Sequence, residues 1–164
     1  MTSLATSAER WAAVRADVHA ACVRADRDPA SVTIVAVAKT HPVSSILEAL
    51  AAGAVDIGEN YAQELVAKRA ALAGDPRAES IRWHFIGRLQ RNKAKLVVGR
   101  ACIHTLDGTA LADELERRAV AAGIARVDTL VEVNLGGEAQ KSGVAPAALP
   151  ALLDALAGRQ QLRV

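Results

Sequence analysis

An apolar run turns abruptly polar near the start of the chain, where residues 32–42 read VTIVAVAKTHP. The apolar part is rich in β-branched residues and predicts a buried strand, and Pro42 fits the first turn of a following helix. The same order of apolar run, polar junction, alanine-rich stretch and glycine recurs along the chain. The apolar runs are Val32 to Ala38, Ala54 to Ile57, Ile81 to Ile86, Ala101 to Leu106 and Thr129 to Leu135, and the glycines are Gly53, Gly74, Gly99, Gly123 and Gly158. Since glycine commonly ends a helix, strands and helices are predicted to alternate.

Alternating strands and helices imply a parallel sheet, which is either an open doubly wound sheet or a closed (β/α) barrel. The chain has neither GxGxxG after its first strand nor GxxxxGK[ST], so the nucleotide-binding versions of the open sheet lose support. We therefore expect an α/β fold of the (β/α)8 TIM-barrel type, with an additional helix near residues 7–27. The repeats supply about five units, and Gln161 to Val164 begins a sixth strand. The expected domain is a single partial barrel over residues 1–164, truncated to about the first five to six strands.

The composition is that of a globular domain and excludes several classes of protein. Apolar residues make up 51% and charged residues 23% of the chain, which argues against disorder. No apolar stretch approaches the roughly 18 residues that span a membrane, so we expect a cytoplasmic protein that does not contact the membrane. The net charge of +2 and the 2% content of aromatic residues do not favour nucleic acid binding. Cys22 and Cys102 show no spacing typical of a disulfide framework or a zinc site, so no metal is expected.

Lys39 is the principal candidate for chemistry because it directly follows the first predicted strand. Period-two alternation places it on the same face as Val35 and Val37, and in a barrel the carboxyl ends of the strands form the active face. Partial burial there would favour the neutral amine, a nucleophile suited to Schiff-base formation. Taken alone, a lysine after a strand more often simply returns to solvent.

Polar residues also follow the other predicted strands. They are Glu59-Asn60-Tyr61, residues 84–87, His104-Thr105 and Glu132-Val133-Asn134. Taken singly, His84 and His104 are explained as hydrogen-bonded core histidines, and Asn60 as the cap of the next helix. Their common position at strand ends favours a binding site at one rim of the barrel.

Five blocks of sequence, in order along nearly the whole chain, closely resemble the YggS/PROSC family of pyridoxal-phosphate homeostasis proteins. They are AVAKTHP (36–42), IGENYAQEL (57–65), WHFIGRLQRNK (83–93), IHTLD (103–107) and VEVNLGGEAQKSG (131–143). The resemblance implies a barrel similar to the N-terminal domain of bacterial alanine racemases, with pyridoxal 5'-phosphate (PLP) held as a Schiff base on Lys39. It also implies that further residues line or border the PLP pocket, namely Asn60, His84, Ile86, Asn134 and Lys141.

Two departures from the family pattern bear on this expectation. Many relatives have a second lysine two residues beyond the PLP lysine, and His41 stands at that position here. The family also continues with a GLM-like strand, a serine-rich phosphate loop and an RIG segment, none of which is present in this sequence. Because barrel phosphate sites are built from the loops after the last strands, we expect PLP to be held more weakly here than in a longer relative.

The resemblance implies a PLP-binding protein of intracellular PLP homeostasis, which holds PLP, has PLP-dependent apoenzymes as partners, and has no catalytic residues of its own. The alternative is a PLP-dependent enzyme such as an amino-acid racemase, with Lys39 as one base and His84 or His104 as the other. A cofactor-free Schiff-base enzyme and a truncated form that binds PLP weakly or not at all also remain open. The complete family fold is expected to be a monomer, whereas the open strand edges of a partial sheet favour self-association.

Overall fold

Helices and strands alternate as the sequence predicts, with one helix before the first strand. The computed structural model describes residues 6–138 and 140–164. The elements in chain order are α1 (Ser7–Arg24), β1 (Ala36–Val37), α2 (Val43–Ala51), β2 (Asp56–Glu59), α3 (Ala62–Ala71), β3 (Arg82–Phe85), α4 (Ala94–Val97), β4 (Cys102–Leu106), α5 (Thr109–Ala121), β5 (Val127–Val131), α6 (Leu149–Leu156) and β6 (Leu162–Arg163). Within the described part of the chain, no helix combines the length and the apolar character needed to cross a membrane.

The strands form one parallel six-stranded sheet in the order in which they occur along the chain, from β1 to β6. This sequential order is that of a (β/α) barrel, because the strand order of a doubly wound sheet reverses at one point. The predicted TIM-barrel type of fold is therefore confirmed, with six consecutive units present. β6 lies within the segment Gln161 to Val164 in which a sixth strand was predicted, and β1 and β6 are the two edges of the described sheet.

The register gives the sheet two different faces. Val37 lies beside Gly58, Gly58 beside His84, and His84 beside Cys102, so these four residues share one face, which we call the inner face. The alternate residues of the strands point toward the helices and are buried, among them Ile57, Phe85, Ile103 and Val127. Side chains of the helices complete this cluster, including Ile46, Leu65, Leu115 and Leu152. The apolar core therefore lies between the sheet and the helices, on the outer face of the sheet.

Capping residues set the ends of the helices. The first helix begins with a capping box, in which the side chain of Thr6 accepts from the Glu9 amide while the Glu9 side chain accepts from the Thr6 amide. It ends at Arg24, earlier than the predicted boundary near residue 27. Gly53 and Gly123 follow α2 and α5 with φ angles of 89° and 65°, so these predicted helix stops are confirmed.

Three strands differ from their predictions by two or more residues at an end. β2 comprises Asp56–Glu59 instead of Ala54 to Ile57. β1 comprises only Ala36–Val37 instead of Val32 to Ala38, because it is an edge strand that pairs on one side only. β5 comprises Val127–Val131 instead of Thr129 to Leu135. Beyond β5 the chain leaves the sheet and forms a single bridge between Val133 and Val144.

Substitutions on the two faces of the sheet are expected to differ in cost. Ile103 on the outer face is 0% exposed, whereas Leu130 on the inner face is 50% exposed. Ile103→Ala is expected to lower the free energy of unfolding by about 2–5 kcal/mol, because it removes buried methyl groups and leaves a cavity. Leu130→Ala is expected to change it by less than about 1 kcal/mol. Urea unfolding of both variants measures the difference, and equal losses would contradict the placement of the core.

Candidate functional site

Three aliphatic side chains gather on the inner face near the carboxyl ends of β1 to β3. A Cβ built at Gly58 would lie 3.0 Å from Val35 Cγ1, 3.4 Å from Ile86 Cδ1 and 3.5 Å from Val37 Cγ2. A Cβ at this position would contact all three side chains, and Val35 would have to shift by a few tenths of an ångström. Val37 is nonetheless 46% exposed, so the surface is apolar and open to solvent. We call Val35, Val37 and Ile86 the apolar floor.

Lys39 lies in the turn that directly follows β1. The turn is closed by the His41 amide, which donates to the Ala38 carbonyl at 3.0 Å. Lys39 therefore comes directly after the strand segment that contributes Val35 and Val37 to the apolar floor. Lys39 is exposed, so the expectation of partial burial is wrong, because β1 is an edge strand whose inner side the described residues leave open. Among the described residues, no hydrogen bond or ion pair engages its amine.

The buried ammonium of Lys68 is hydrogen-bonded to the backbone of this turn. Lys68 Nζ, on α3, donates to the Ala38 carbonyl at 2.7 Å and to Glu59 Oε1 at 2.6 Å. It also donates to Glu64 Oε2 at 2.9 Å, and the same carboxylate oxygen accepts from the Thr40 amide at 3.0 Å. Lys68, Glu59 and Glu64 therefore tie α3 and β2 to the turn that carries Lys39, and we call them the clamp.

The electrostatics of the clamp favour its charged form. Burial lowers the pKa of Lys68, but the hydrogen bonds from its ammonium to Glu59 and Glu64 outweigh this effect and leave the pKa raised. The bond from Lys68, followed by that from the Thr40 amide, lowers the pKa of Glu64. Thr40 adopts a left-handed φ of 63°, an unfavourable conformation for a β-branched residue that persists where surrounding contacts enforce it. The clamp provides those contacts.

Sequence reasoning missed two members of the clamp and misplaced the third. Glu59 was grouped with the polar residues at the rim, whereas it is fully buried and bonded to Lys68 of α3. The i,i+4 spacing of Glu64 and Lys68 on a predicted helix was the available indication of an ion pair. Nothing in that spacing indicated that Lys68 would also bond the backbone next to Lys39.

Asn60 follows β2 and is half-buried. Its alternative interpretation as a helix cap is wrong, because the N-cap of α3 is Tyr61, which makes no side-chain capping bond. The end of β3 runs directly against Asn60, since a Cβ at Gly87 would lie 2.1 Å from the Asn60 carbonyl oxygen. Asn60 and Ile86 are thus held close together at the carboxyl ends of neighbouring strands.

His84 and His104 form a hydrogen-bonded pair on the inner face. His84 Nδ1 lies 2.8 Å from His104 Nε2, and His84 Nε2 lies 2.9 Å from Asp56 Oδ1. Asp56 is also bound by the Arg82 guanidinium at 2.7 and 2.5 Å, and these bonds chiefly lower the pKa of its carboxyl. Burial, and then the charge of His84, lower the pKa of His104. The two histidines are therefore members of one polar network on the face that carries the apolar floor.

Asn134 and Lys141 lie in the segment after β5 and share a partner. Asn134 Nδ2 donates to the Glu138 carbonyl at 3.0 Å, and Lys141 Nζ forms an ion pair with Glu138 Oε1. The Asn134 amide also donates to the Val144 carbonyl at 2.9 Å, which folds the segment back on itself. The structure thus brings Asn134 and Lys141 together, but among the described residues no hydrogen bond joins either of them to Lys39.

Glu132 carries an unused acceptor near this segment. Its Oε2 is buried and, within the described residues, has no hydrogen-bond partner. Leu130 of β5 lies on the inner face, and Glu132 follows it by two residues. Side-chain alternation therefore places Glu132 on the inner side as well. A buried acceptor without a partner is costly unless a ligand or water supplies a donor, so Glu132 fits the edge of a binding site.

Comparison with known proteins gives consistent similarities. The family profile of the alanine racemase N-terminal domain matches residues 11–164. A protein of Pseudomonas aeruginosa named pyridoxal phosphate homeostasis protein is 41% identical over 162 residues, which are 98% of this chain and 68% of that protein. The PLP-bound structure of PipY from Synechococcus elongatus is similar with a TM-score of 0.71 and 38% identity, over 92% of this chain and 67% of that one. The structure of an unknown protein from Bifidobacterium adolescentis has a TM-score of 0.86 and 34% identity, over 96% of this chain and 65% of that one.

Removing the ammonium of the clamp is expected to destabilise the fold strongly. Lys68→Met leaves the fully buried Glu59 carboxylate without its counter-charge and is expected to cost about 3–5 kcal/mol of unfolding free energy. The double variant Lys68→Met with Glu59→Leu is expected to recover at least half of this loss, because no buried charge remains. Lys95→Met, at an exposed lysine, is the matched control and should stay within about 0.5 kcal/mol of the parent. Urea unfolding decides, and a single variant as stable as the control would refute this role.

Proposed function

Because this chain belongs to the family of pyridoxal phosphate homeostasis proteins, which share the alanine racemase N-terminal domain, we propose that it binds PLP and takes part in intracellular PLP homeostasis. In this proposal PLP is held as a Schiff base on Lys39 Nζ beside the apolar floor. The chain spans 68% of the length of the Pseudomonas relative, and the proposal concerns what its own residues can bind.

The observation that carries the proposal is an exposed lysine in a hydrogen-bonded turn that directly follows the strand carrying part of the apolar floor. PLP presents an aldehyde and an aromatic ring, and a reachable amine next to aliphatic side chains fits both groups. Val37 is 46% exposed and available for such packing. The residues present therefore fit the aldehyde and the ring of PLP.

Each part of the site has a separate task. When bound, PLP supplies an aldehyde that combines with primary amines and a ring that withdraws electrons. Lys39 would supply the amine, and because its side chain is exposed, water could accept a proton from it. The clamp holds the backbone on both sides of Lys39, at Ala38 and Thr40, so the amine is presented from a defined position.

The remaining predicted pocket residues support the proposal to different degrees. Ile86 belongs to the apolar floor, and Asn60 lies beside it at the neighbouring strand end. His84 already bonds Asp56 and His104, so it would border the site without a free ring nitrogen. Asn134 and Lys141 both bond Glu138, and contact with PLP would replace those bonds.

The hydrogen bond between the two candidate bases favours a carrier over an enzyme. Enzymes that use PLP place a second acid or base against the substrate. Here the two candidate bases, His84 and His104, are hydrogen-bonded to each other. A lysine amine alone is sufficient for reversible loading and release of a reactive aldehyde. We propose PLP itself and the PLP-dependent apoenzymes that receive it as partners. The proposed compartment is the cytoplasm.

Covalent trapping tests the assignment of Lys39. The protein is mixed with PLP, reduced with borohydride and digested, and the modified lysine is mapped by mass spectrometry. We expect one dominant modified residue, Lys39, and at least a tenfold loss of trapped PLP in Lys39→Ala. Lys95→Ala is the matched control, because Lys95 is also exposed but lies on α4, and it should trap as much PLP as the parent. Equal trapping by Lys39→Ala and the parent would refute the assignment.

A racemase assay on the PLP-loaded protein distinguishes a carrier from an enzyme. Interconversion of D- and L-alanine is followed with PLP-loaded protein, and His104→Gln serves as the variant that removes a candidate base. The carrier proposal predicts no turnover above that of free PLP in either protein. Turnover by the parent that His104→Gln abolishes would establish the enzyme instead.

A further inference from the structure

We propose that the inner face of the sheet carries a zinc-binding site formed by His84, Cys102 and His104. His84 lies on β3, directly beside Cys102 of β4 in the register of the two strands. His104 follows Cys102 by two residues and therefore points to the same face. A ring nitrogen of each histidine and the Sγ of Cys102 all lie within 4.8 Å of one another.

The orientation of His84 is the first argument for the site. The carboxylate of Asp56 can only accept, so the 2.9 Å contact assigns the proton to His84 Nε2 and leaves Nδ1 directed at the other ligands. An imidazole whose second nitrogen is held by a carboxylate is the usual arrangement of a metal-bound histidine. Asp56 itself accepts two hydrogen bonds from Arg82, which hold its carboxylate in position against His84.

The contact between the two histidines marks the position of the ion. His84 Nδ1 and His104 Nε2 lie 2.8 Å apart, which requires one proton between two nitrogens that both point inward. A metal ion can take the place of that proton when His104 changes to the tautomer with its proton on Nδ1, so that both lone pairs are directed at the ion. From ordinary Zn–N and Zn–S bond lengths, ligand atoms around a tetrahedral zinc are about 3.3–3.6 Å apart. The rings must therefore separate by only about half an ångström.

The donor set selects the class of metal. Two imidazoles and one thiolate suit zinc, whereas magnesium and calcium prefer oxygen ligands. All three residues are half-buried and not sealed in the core, so an ion can reach them from the open inner face.

Burial, and then the charge of Asp128, raise the pKa of the Cys102 thiol. Zinc binding would form the Zn–S bond as the thiol proton leaves to solvent. Three protein ligands leave a fourth position for water.

Zinc binding can be tested separately from PLP binding, although His84 borders the proposed PLP site. The zinc ligands lie on β3 and β4, and none of them is Lys39 or a member of the clamp. Binding can therefore be measured on the metal-free chain without PLP, and failure of either proposal leaves the other intact.

Calorimetric titration of the metal-free chain with Zn²⁺ tests the proposal. We expect one zinc per chain, with at least a tenfold loss of affinity in Cys102→Ser and in His104→Gln. Asp56→Ala, which removes the hydrogen-bond acceptor of His84 Nε2, is expected to weaken binding about 10- to 100-fold. Cys22→Ser and His19→Gln are the matched controls, since both residues lie on α1, and they should bind zinc like the parent. Absence of stoichiometric binding, or binding that the ligand variants leave unchanged, would overturn the proposal.

Two measurements on the parent chain do not depend on how the variants fold. Co²⁺ bound through Cys102 should give thiolate-to-cobalt charge-transfer absorption together with the visible bands of tetrahedral cobalt. Zn²⁺ should also protect Cys102 from alkylation, as mapped by mass spectrometry, while leaving the modification of Cys22 unchanged. A cobalt complex without thiolate absorption, or equal alkylation of Cys102 with and without zinc, would overturn the site.

Discussion

A single buried ammonium joins the parts of the molecule on which the candidate site depends. Lys68 reaches from α3 to the end of β1 and to the fully buried Glu59 of β2. Taking these charges out of water costs several kcal/mol per ion, and only close contacts on both sides offset that cost. The net gain in unfolding free energy is therefore small. The main effect of these bonds is to fix the backbone of the turn between Ala38 and Thr40. β1 is only two residues long and lies at an edge, so its end needs a fastening of this kind.

The alternation of side chains in the sheet separates stability from function. One face holds the aliphatic core against the helices, where Ile103 and Phe85 are almost completely buried. The other face carries the apolar floor and the two histidines, and Lys39 lies in the turn after β1. Because the residues on the inner face contribute little to the core, that face can carry polar and exposed groups without a large loss of stability.

Much of the fold follows from the sequence, because the alternation of apolar runs, alanine-rich stretches and glycines specifies parallel strands in chain order. The length of β1 does not follow, since Val32 to Val35 are as β-prone as the two residues that pair, and pairing depends on a neighbouring strand. The position of Lys39 was predictable from its place after a strand. Its exposure was not, because burial depends on which elements cover the end of the strand.

Contacts between distant segments were the least predictable part of the site. The sequence predicts Glu59 as a rim residue, whereas it is buried against Lys68 of α3. The alternative interpretation of Asn60 as a helix cap does not hold, because Tyr61 has that position. Spacing along the chain does not indicate the proposed zinc site either, because His84 meets Cys102 only through the register of β3 and β4. Local patterns specify elements, whereas these contacts arise only when the elements are placed together.

A crystal structure of this chain after reaction with PLP tests the central claim most directly. The account predicts continuous electron density from Lys39 Nζ to PLP on the inner face beside Val37 and Ile86, with Lys68 still bound to the Ala38 carbonyl. Density that joins PLP to a different lysine, or a Lys39 side chain turned toward the outer face, would contradict it.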